Sequence, residues 1–244
     1  MSRLVARGQD EAMKSIVNPL RISRFLQVYD AAAAQKGIKL SIGFDFHEYI
    51  SITRATPTKG PTYPNFRPDR SPIRSGEGFW IVGVDKNNEV ALLEAARLYN
   101  LSHTNFAEHL QSLKVFFADP AVHAHPQDRC SCMAPSARQI TGKVAYLGDR
   151  WVRRDFRGRG MSKIMAGIAR GVSFAMWVPD FLCALVARSL VEKGVVYGYS
   201  HHEPGGSILQ LIEEEIVDDD CLVWQTGEEL KSLVDGGRDL ILTS

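Results

Sequence analysis

Six residues in the second half of the chain have the types and order of an anion-binding turn. They read Arg157-Gly158-Arg159-Gly160-Met161-Ser162. Glycine lets backbone N–H groups approach a ligand because it has no Cβ, and guanidinium groups suit phosphate oxygens. An apolar strand precedes the turn and an amphipathic helix follows it, so the N–H groups and positive dipole end of the helix start fall in the same place. The spacing predicts a strand–loop–helix cradle for a phosphate group.

Other glycine-rich phosphate motifs fit this turn less well. A Walker loop requires Lys followed by Ser or Thr after its last glycine, whereas Gly160 is followed by Met161, Ser162 and Lys163. A dinucleotide-binding fingerprint would lack its third glycine here. The Arg-Gly repeats of RNA-binding tails lie in low-complexity sequence, but this turn lies between two patterned segments. A purely structural turn is the alternative that stays open.

The turn resembles the coenzyme A-binding signature of the GNAT acetyltransferase superfamily, an Arg/Gln-x-x-Gly-x-Gly/Ala loop whose backbone amides bind the pyrophosphate. Residues 157–161 fit it position by position, whereas Ser162 stands where Gly or Ala is usual and Arg154 where Pro is common. The resemblance covers about residues 78–200. It implies acetyl-CoA as co-substrate and a set of coenzyme-binding residues, of which the first two would pair with the pantetheine arm through their backbone. That set is Trp151, Val152, Arg157, Gly158, Arg159, Gly160, Met161 and Ser162.

Acyl transfer from a thioester to an amine also needs a base for the amine proton and an acid for the leaving thiolate. In the resemblance the acid is commonly a tyrosine, and Tyr199 or Tyr197 would fill this role, with Tyr199 preferred. For the base, His202 ends a strand expected to border the cleft, and histidine titrates near neutral pH. Glu94 is the other candidate, because relatives often carry the base on that strand, and Asp149 is a third. Each side chain has an ordinary packed or solvated role as its alternative.

Hydrophobic patterning predicts the elements around these residues. Helices are expected over residues 22–36, 103–117, 161–172 and 179–193; strands over 40–53, 79–84, 90–99, 144–147, 195–200, 221–225 and 240–243; and loops over 56–78 and 118–142. The resemblance implies an α/β (α+β) fold of GNAT type, in which helices flank a mixed, mostly antiparallel central sheet. Residues 79–244 would form the acyltransferase core, and residues 1–78 an N-terminal extension packed on it.

Bulk properties restrict the class of function. The 244 residues carry 29 Lys and Arg against 28 Asp and Glu, which argues against broad binding to nucleic acid or to an anionic membrane. The four cysteines do not look like a disulfide framework, and no secretory leader or transmembrane run is apparent, so we expect a cytoplasmic protein. The pairs His123-x-His125 and Cys130-x-Cys132 have an unusual spacing for structural zinc, and no metal is expected.

The function expected from the sequence is acetyl transfer from acetyl-CoA to an amine of a small molecule or peptide, by direct attack on the thioester. Two alternatives stay open: a longer acyl-CoA as donor, and a coenzyme A-binding protein without turnover. Arg67, Arg70 and Arg74 in the proline-rich loop would suit an acidic acceptor, although such side chains are more often solvated. A homodimer is compatible with these expectations, and neither nucleic acid nor membrane is an expected partner.

Overall fold

One eight-stranded sheet organises the part of the chain that the computed structural model describes, residues 17–236. In chain order its strands are β1 (Lys39–Gly43), β2 (Gly78–Val84), β3 (Val90–Leu101), β4 (Arg129–Ser131), β5 (Gly142–Val152), β6 (Phe181–Ala187), β7 (His201–Leu211) and β8 (Ile216–Thr226). The helices are α1 (Pro19–Gln35), α2 (Phe46–Arg54), α3 (Phe106–Gln111), α4 (Pro120–His123), α5 (Met161–Trp177), α6 (Arg188–Val191) and α7 (Gly227–Gly236).

The sheet is mixed and mostly antiparallel, which confirms the predicted fold class. Its strand order is β1-β2-β3-β5-β6-β8-β7-β4. Six of the seven neighbouring pairs are antiparallel, and β5 with β6 is the parallel pair. The crossover between β5 and β6 runs through α5, as a parallel connection requires. The glycine-rich turn therefore lies where β5 leaves the sheet and α5 begins.

Apolar layers cover both faces of the sheet. On one face, here called the α5 face, α1 and α5 pack together, and Tyr29 is among the buried residues. On the other face, α2, α3 and residues 59–71 cover the strands; we call residues 59–71 the strap, and its Phe66 is fully buried. No helix within residues 17–236 has the length and apolar character needed to span a bilayer.

Two predicted elements after α5 were wrong. The expected helix at 179–193 is instead strand β6 followed by the short helix α6. Its nearly continuous apolar run arises because β6 lies between β5 and β8 with both faces covered, and such a strand cannot be told from a buried helix by periodicity. The expected strand at 195–200 is irregular, since Gly194, Tyr197 and Gly198 have positive φ angles of 78°, 50° and 76°.

The prediction of one extended segment over residues 40–53 was also wrong beyond β1. Asp45 accepts a hydrogen bond from the His47 amide and thereby caps α2, which buries Phe46, Tyr49 and neighbouring apolar residues on one side. The helix expected at 103–117 is confined to α3. The expected loop at 118–142 contains α4 and the edge strand β4, and the expected strand at 240–243 lies outside the described residues.

Replacing Gly167 with alanine should destabilise the protein, although alanine is the better helix former. A Cβ at this position in α5 would lie 2.2 Å from the Tyr29 ring of α1. Overpacking costs about 1–3 kcal/mol, which exceeds the gain of about 1 kcal/mol in helix propensity. Urea denaturation measures the difference. The matched control is Lys163→Ala, at an exposed position of the same helix, and equal stability of the two variants would contradict this packing.

Candidate active site

A cavity of about 490 Å³ lies where β5 and β6 separate. The two strands pair only from Val144–Phe181 to Tyr146–Cys183, and beyond those residues each keeps only its outer partner, β3 or β8. Within the described residues, the edges that face each other across the gap therefore have no strand between them. Buried backbone N–H and C=O groups require hydrogen-bond partners. An extended ligand with amide groups of its own, such as a pantetheine arm, fits this gap.

The glycine-rich turn presents a row of backbone N–H groups. Gly158 and Gly160 have φ angles of 73° and 75°, a left-handed conformation that favours glycine, and α5 begins at the next residue. In the described structure, the amides of residues 158–162 have no hydrogen-bond acceptor within the protein. The Arg157 Nε donates to the carbonyl of Val152 at 2.9 Å, which ties the turn to the end of β5. The turn therefore has the donors that a diphosphate needs.

A β-bulge sorts two β5 side chains to opposite faces of the sheet. Glu94 of β3 lies opposite two residues of β5, Asp149 and Arg150, and Asp149 has a φ angle of 53°. The extra residue reverses the alternation of side chains. Asp149 consequently bonds with Tyr49 on the strap face, while Arg150 reaches Tyr197 on the α5 face.

Two predicted tyrosines and the predicted Glu94 meet on the α5 face. Arg150 pairs with Glu94, which is only 1% exposed, and its guanidinium lies 4.4 Å from the Tyr197 ring centre. Arg170 of α5 lies 4.6 Å from the ring centre of Tyr199 and donates to the Tyr197 carbonyl at 2.7 Å. The irregular segment after α6 is therefore held by two arginines, the buried Arg170 and the half-buried Arg150.

Tyr199 has the properties of a proton donor. Tyr199 lines the cavity, and its hydroxyl is buried without a hydrogen-bond partner within residues 17–236. Burial raises its pKa above the ordinary value for tyrosine, against the opposing effect of Arg170 and Arg150. The hydroxyl therefore carries its proton at neutral pH. The Oε2 atom of Glu94 is likewise buried without a partner in the described structure. Two residues of the cavity wall, Tyr199 and Glu94, thus each have a polar atom free to form a hydrogen bond.

The strap closes the cavity on the opposite face of the sheet. Lys59 Nζ lies 2.7 Å from Asp149 Oδ1, and both side chains are at most 5% exposed. Burial raises the pKa of Asp149, and the Lys59 charge partly offsets this shift. Farther along the strap, the Tyr63 hydroxyl donates to Asp218 Oδ2 at 2.7 Å. The strap thus bridges β5, on one side of the gap, and β8, the outer neighbour of β6 on the other side.

The arginines of the proline-rich loop serve this attachment. Arg67 pairs with Glu214, and Arg70 lies 3.0 Å from Glu213, both in the turn between β7 and β8. These contacts occupy two of the three guanidinium groups that the sequence offered for an acidic acceptor, and the third, that of Arg74, is exposed. The buried Arg97 of β3 holds the same segment against the sheet, since it donates to the backbone carbonyls of residues 65, 71 and 72.

Asp220 of β8 is a site residue that the sequence analysis missed. It lines the cavity on the strap face, and burial, followed by the neighbouring Asp218 and Asp219, raises its pKa to about 7. The charge of Asp220 in turn raises the pKa of three groups on other elements, the Tyr63 and Tyr146 hydroxyls and the Cys130 thiol. A carboxyl group of this kind can accept a proton near neutral pH. The one available signal was an acidic run, residues 218–220, directly before an apolar strand.

The remaining predicted residues fall into two groups. Trp151 lines the cavity from the strap face, and the predicted coenzyme-binding residues 157–162 follow β5 after a short 3-10 turn, Arg154–Phe156. His202 lies apart from them, exposed on β7 and outside the cavity lining. The ring Nε2 atom of the neighbouring His201 lies 2.8 Å from Glu229 Oε1, within hydrogen-bond distance.

The histidine and cysteine pairs of the 118–142 segment do not form a common cluster. All four cysteines of the chain are free and buried. Within residues 17–236, no three His, Cys, Asp or Glu side chains are gathered in a way that could hold a metal ion.

No family model matches the chain, and no curated protein matches its sequence. Solved structures with a similar fold include the spermidine/spermine N-acetyltransferase SpeG from Vibrio cholerae, at 9% identity and a TM-score of 0.45, covering 81% of this chain and 98% of that one. Arabidopsis thaliana NAA60 in complex with acetyl-CoA is 13% identical with a TM-score of 0.44, covering 78% and 98%. FeeM, an N-acyl amino acid synthase from uncultured soil microbes, is 10% identical with a TM-score of 0.44, covering 83% and 98%. Similarity at this level extends to the fold alone and identifies no site residue of this chain.

The ion pair between Lys59 and Asp149 should contribute strongly to stability. Lys59→Met leaves the buried carboxylate with the Tyr49 hydroxyl but no cation, and breaking a buried pair on one side costs about 3–5 kcal/mol in free energy of unfolding. The double variant Lys59→Met/Asp149→Asn removes the stranded charge and should recover much of the loss. Urea denaturation at pH 7 measures both. A loss under about 1 kcal/mol for Lys59→Met, the value of an exposed pair, would contradict this assignment.

Proposed function

We propose that the protein is an N-acyltransferase that moves the acetyl group of acetyl-CoA to an amine of a small molecule or peptide. The observation that carries this proposal is the run of unbonded amides at residues 158–162. These amides lie between the short turn after β5, the strand whose unpaired edge borders the cavity, and the first residues of α5. A diphosphate at the turn and a thioester arm along β5 would place the reacting carbonyl between the two faces of the sheet.

The coenzyme would be held mainly by backbone groups. The amides of residues 158–162 bind the diphosphate, with the dipole of α5 adding to their attraction. Arg159 adds positive charge at the exposed turn, while Arg157 both adds charge and braces the turn through its bond to Val152. The backbone of Trp151 and Val152 pairs with the pantetheine amides in the manner of one more strand.

Asp220 and Tyr199 supply the proton transfers in this proposal. Asp220 takes a proton from the acceptor ammonium, and the freed nitrogen attacks the thioester carbonyl carbon. The C–N bond forms, the C–S bond breaks, and Tyr199 gives its proton to the leaving thiolate. The nitrogen passes its remaining extra proton to the Tyr199 phenolate, and Asp220 releases its proton to solvent. The balance is one amide, one free thiol and one proton released. Glu94 and Arg150 act on the positions of Tyr197 and Tyr199 and touch no reacting atom.

A longer acyl donor is the second candidate, because the cavity is larger than an acetyl group requires. Phe116, Leu209 and Ile216 give its strap side an apolar lining. An acyl chain of several carbons would bury its methylene groups there, each worth about 0.8 kcal/mol. Turnover measured with acetyl-, butyryl- and octanoyl-CoA at fixed amine concentration separates the two donors, since each added carbon should raise kcat/KM only if the chain occupies this lining.

Coenzyme A and acetyl-CoA should raise the melting temperature, and Arg157→Glu should abolish the shift. At a ligand concentration of 100 times Kd the stabilisation is about 2.7 kcal/mol, or about 5–10 °C for a domain of this size. The glutamate places a negative charge beside the diphosphate. Arg154→Glu is the matched control, because this exposed residue precedes the turn. Equal shifts for the parent and Arg157→Glu would contradict diphosphate binding at the turn.

Activity should fall as the pH drops below about 7, because Asp220 must be deprotonated to accept the amine proton. In profiles of kcat/KM against pH with one acceptor, Asp220→Asn should no longer show the fall at acidic pH, here called the acidic limb. Its rate should also drop at least about 10²-fold. Tyr199→Phe should lower kcat but keep the limb, since it removes only the acid. An unchanged limb in Asp220→Asn would exclude Asp220 as the base.

A further inference from the structure

The strap side of the cavity carries more negative charge than the protein neutralises. Five carboxylate residues line the cavity: Glu94, Asp149, Glu215, Asp218 and Asp220. Its two cationic lining residues, Lys59 and Arg150, are already paired with Asp149 and Glu94. Three carboxyl groups are therefore left without a cation in the lining, and all three belong to β8 or the turn before it.

Two of these carboxyl groups face the strap rather than bulk solvent. Asp218 accepts a hydrogen bond from the Tyr63 hydroxyl, and Asp220 lies two residues farther along β8 on the same face, where its charge raises the pKa of Tyr63 and Tyr146. Hydroxyl groups offer hydrogen bonds but no positive charge. In a partly buried place, a ligand cation would be attracted to this pair and a ligand carboxylate repelled, and both effects exceed those in water. Asp219 between them points to the other face, where it lies 2.9 Å from Arg188.

The same cavity has apolar lining residues, and two of its other lining residues have buried polar atoms without a hydrogen-bond partner in the described structure. Phe116, Leu209 and Ile216 line it next to the carboxyl groups. The Tyr199 hydroxyl and Glu94 Oε2 are buried in its wall without partners in the described structure. A site with an apolar lining and a few placed charges selects ligands with an apolar body and complementary charge.

We propose that the acceptor is a cationic amine with an apolar body and no carboxylate, such as an arylalkylamine or an alkyl diamine, selected by Asp218 and Asp220. Asp218 attracts the cation and repels acceptor carboxylates, and Asp220 takes the proton from the reacting nitrogen. This inference rests on the proposed acyl transfer, whose donor side lies at a different place on the sheet.

Two matched pairs of acceptors test the inference. Phenethylamine differs from L-phenylalanine, and 1,5-diaminopentane from L-lysine, only by the carboxylate. With acetyl-CoA as donor, or the acyl-CoA that turns over fastest, thiol release gives kcat/KM for each. The carboxylate-free member of each pair should be favoured at least about tenfold, the effect of one like charge near a half-buried carboxylate.

Asp218→Asn shows whether this carboxylate sets the preference. Asparagine keeps the shape and can still accept the Tyr63 hydrogen bond, so the fold should be retained, while the ratio within each pair should fall toward one. Asp219→Asn removes the same charge from the adjacent residue on the other face and should leave the ratio unchanged. A purely structural role of Asp218 would change both rates alike and leave the ratio as it was.

The outcomes separate this inference from the function it rests on. Turnover that favours the amino acids, or a ratio that Asp218→Asn does not change, overturns the acceptor inference while acyl transfer stands. Absence of both a coenzyme-dependent melting shift and thiol release with all four acceptors overturns acyl transfer, and the acceptor inference with it.

Discussion

The separation of β5 from β6 is the constraint on which the rest of the site depends. Each strand keeps its outer neighbour, so the gap leaves two backbone edges that face each other across a cavity. Buried N–H and C=O groups without partners cost about 1–3 kcal/mol each. A ligand that supplies amide groups along one edge therefore gains directional bonds, and the start of α5 provides an anchor for its charged end.

The bulge at Asp149 places Asp149 and Arg150, which are adjacent in the chain, on opposite faces of the sheet. Without the extra residue, alternation would send Arg150 toward the strap. With it, Arg150 joins Glu94, Tyr197 and Tyr199 on the α5 face, and Asp149 bonds to Lys59 on the other. Tyr199 and Asp220, the proposed proton donor and proton acceptor, then approach one cavity from opposite faces of the sheet.

Local features of the site could be predicted from sequence, and long-range ones could not. The residues of the glycine-rich turn are contiguous, so its glycines and the apolar stripe of the following helix can be recognised together in the sequence. The role of Asp220 depends on strand register and on Tyr63 in the strap, more than 150 positions earlier in the chain, and no periodicity carries that information. The helix expected at 179–193 failed for a related reason, because a strand covered on both faces is apolar throughout. His202 was placed near the cleft by a wrongly assigned strand, and β7 begins one residue before it.

The strap and the turn that begins α5 come from segments far apart in the chain, so the residues of one can change independently of the other. The strap contacts β8 and the β7–β8 turn through side chains alone, at Tyr63, Arg67 and Arg70. Exchange of a few side chains there would alter the strap side of the cavity, where the acceptor is proposed to bind, and leave the proposed coenzyme-binding turn unchanged. The acceptor could thereby change without any change in the residues proposed for the donor.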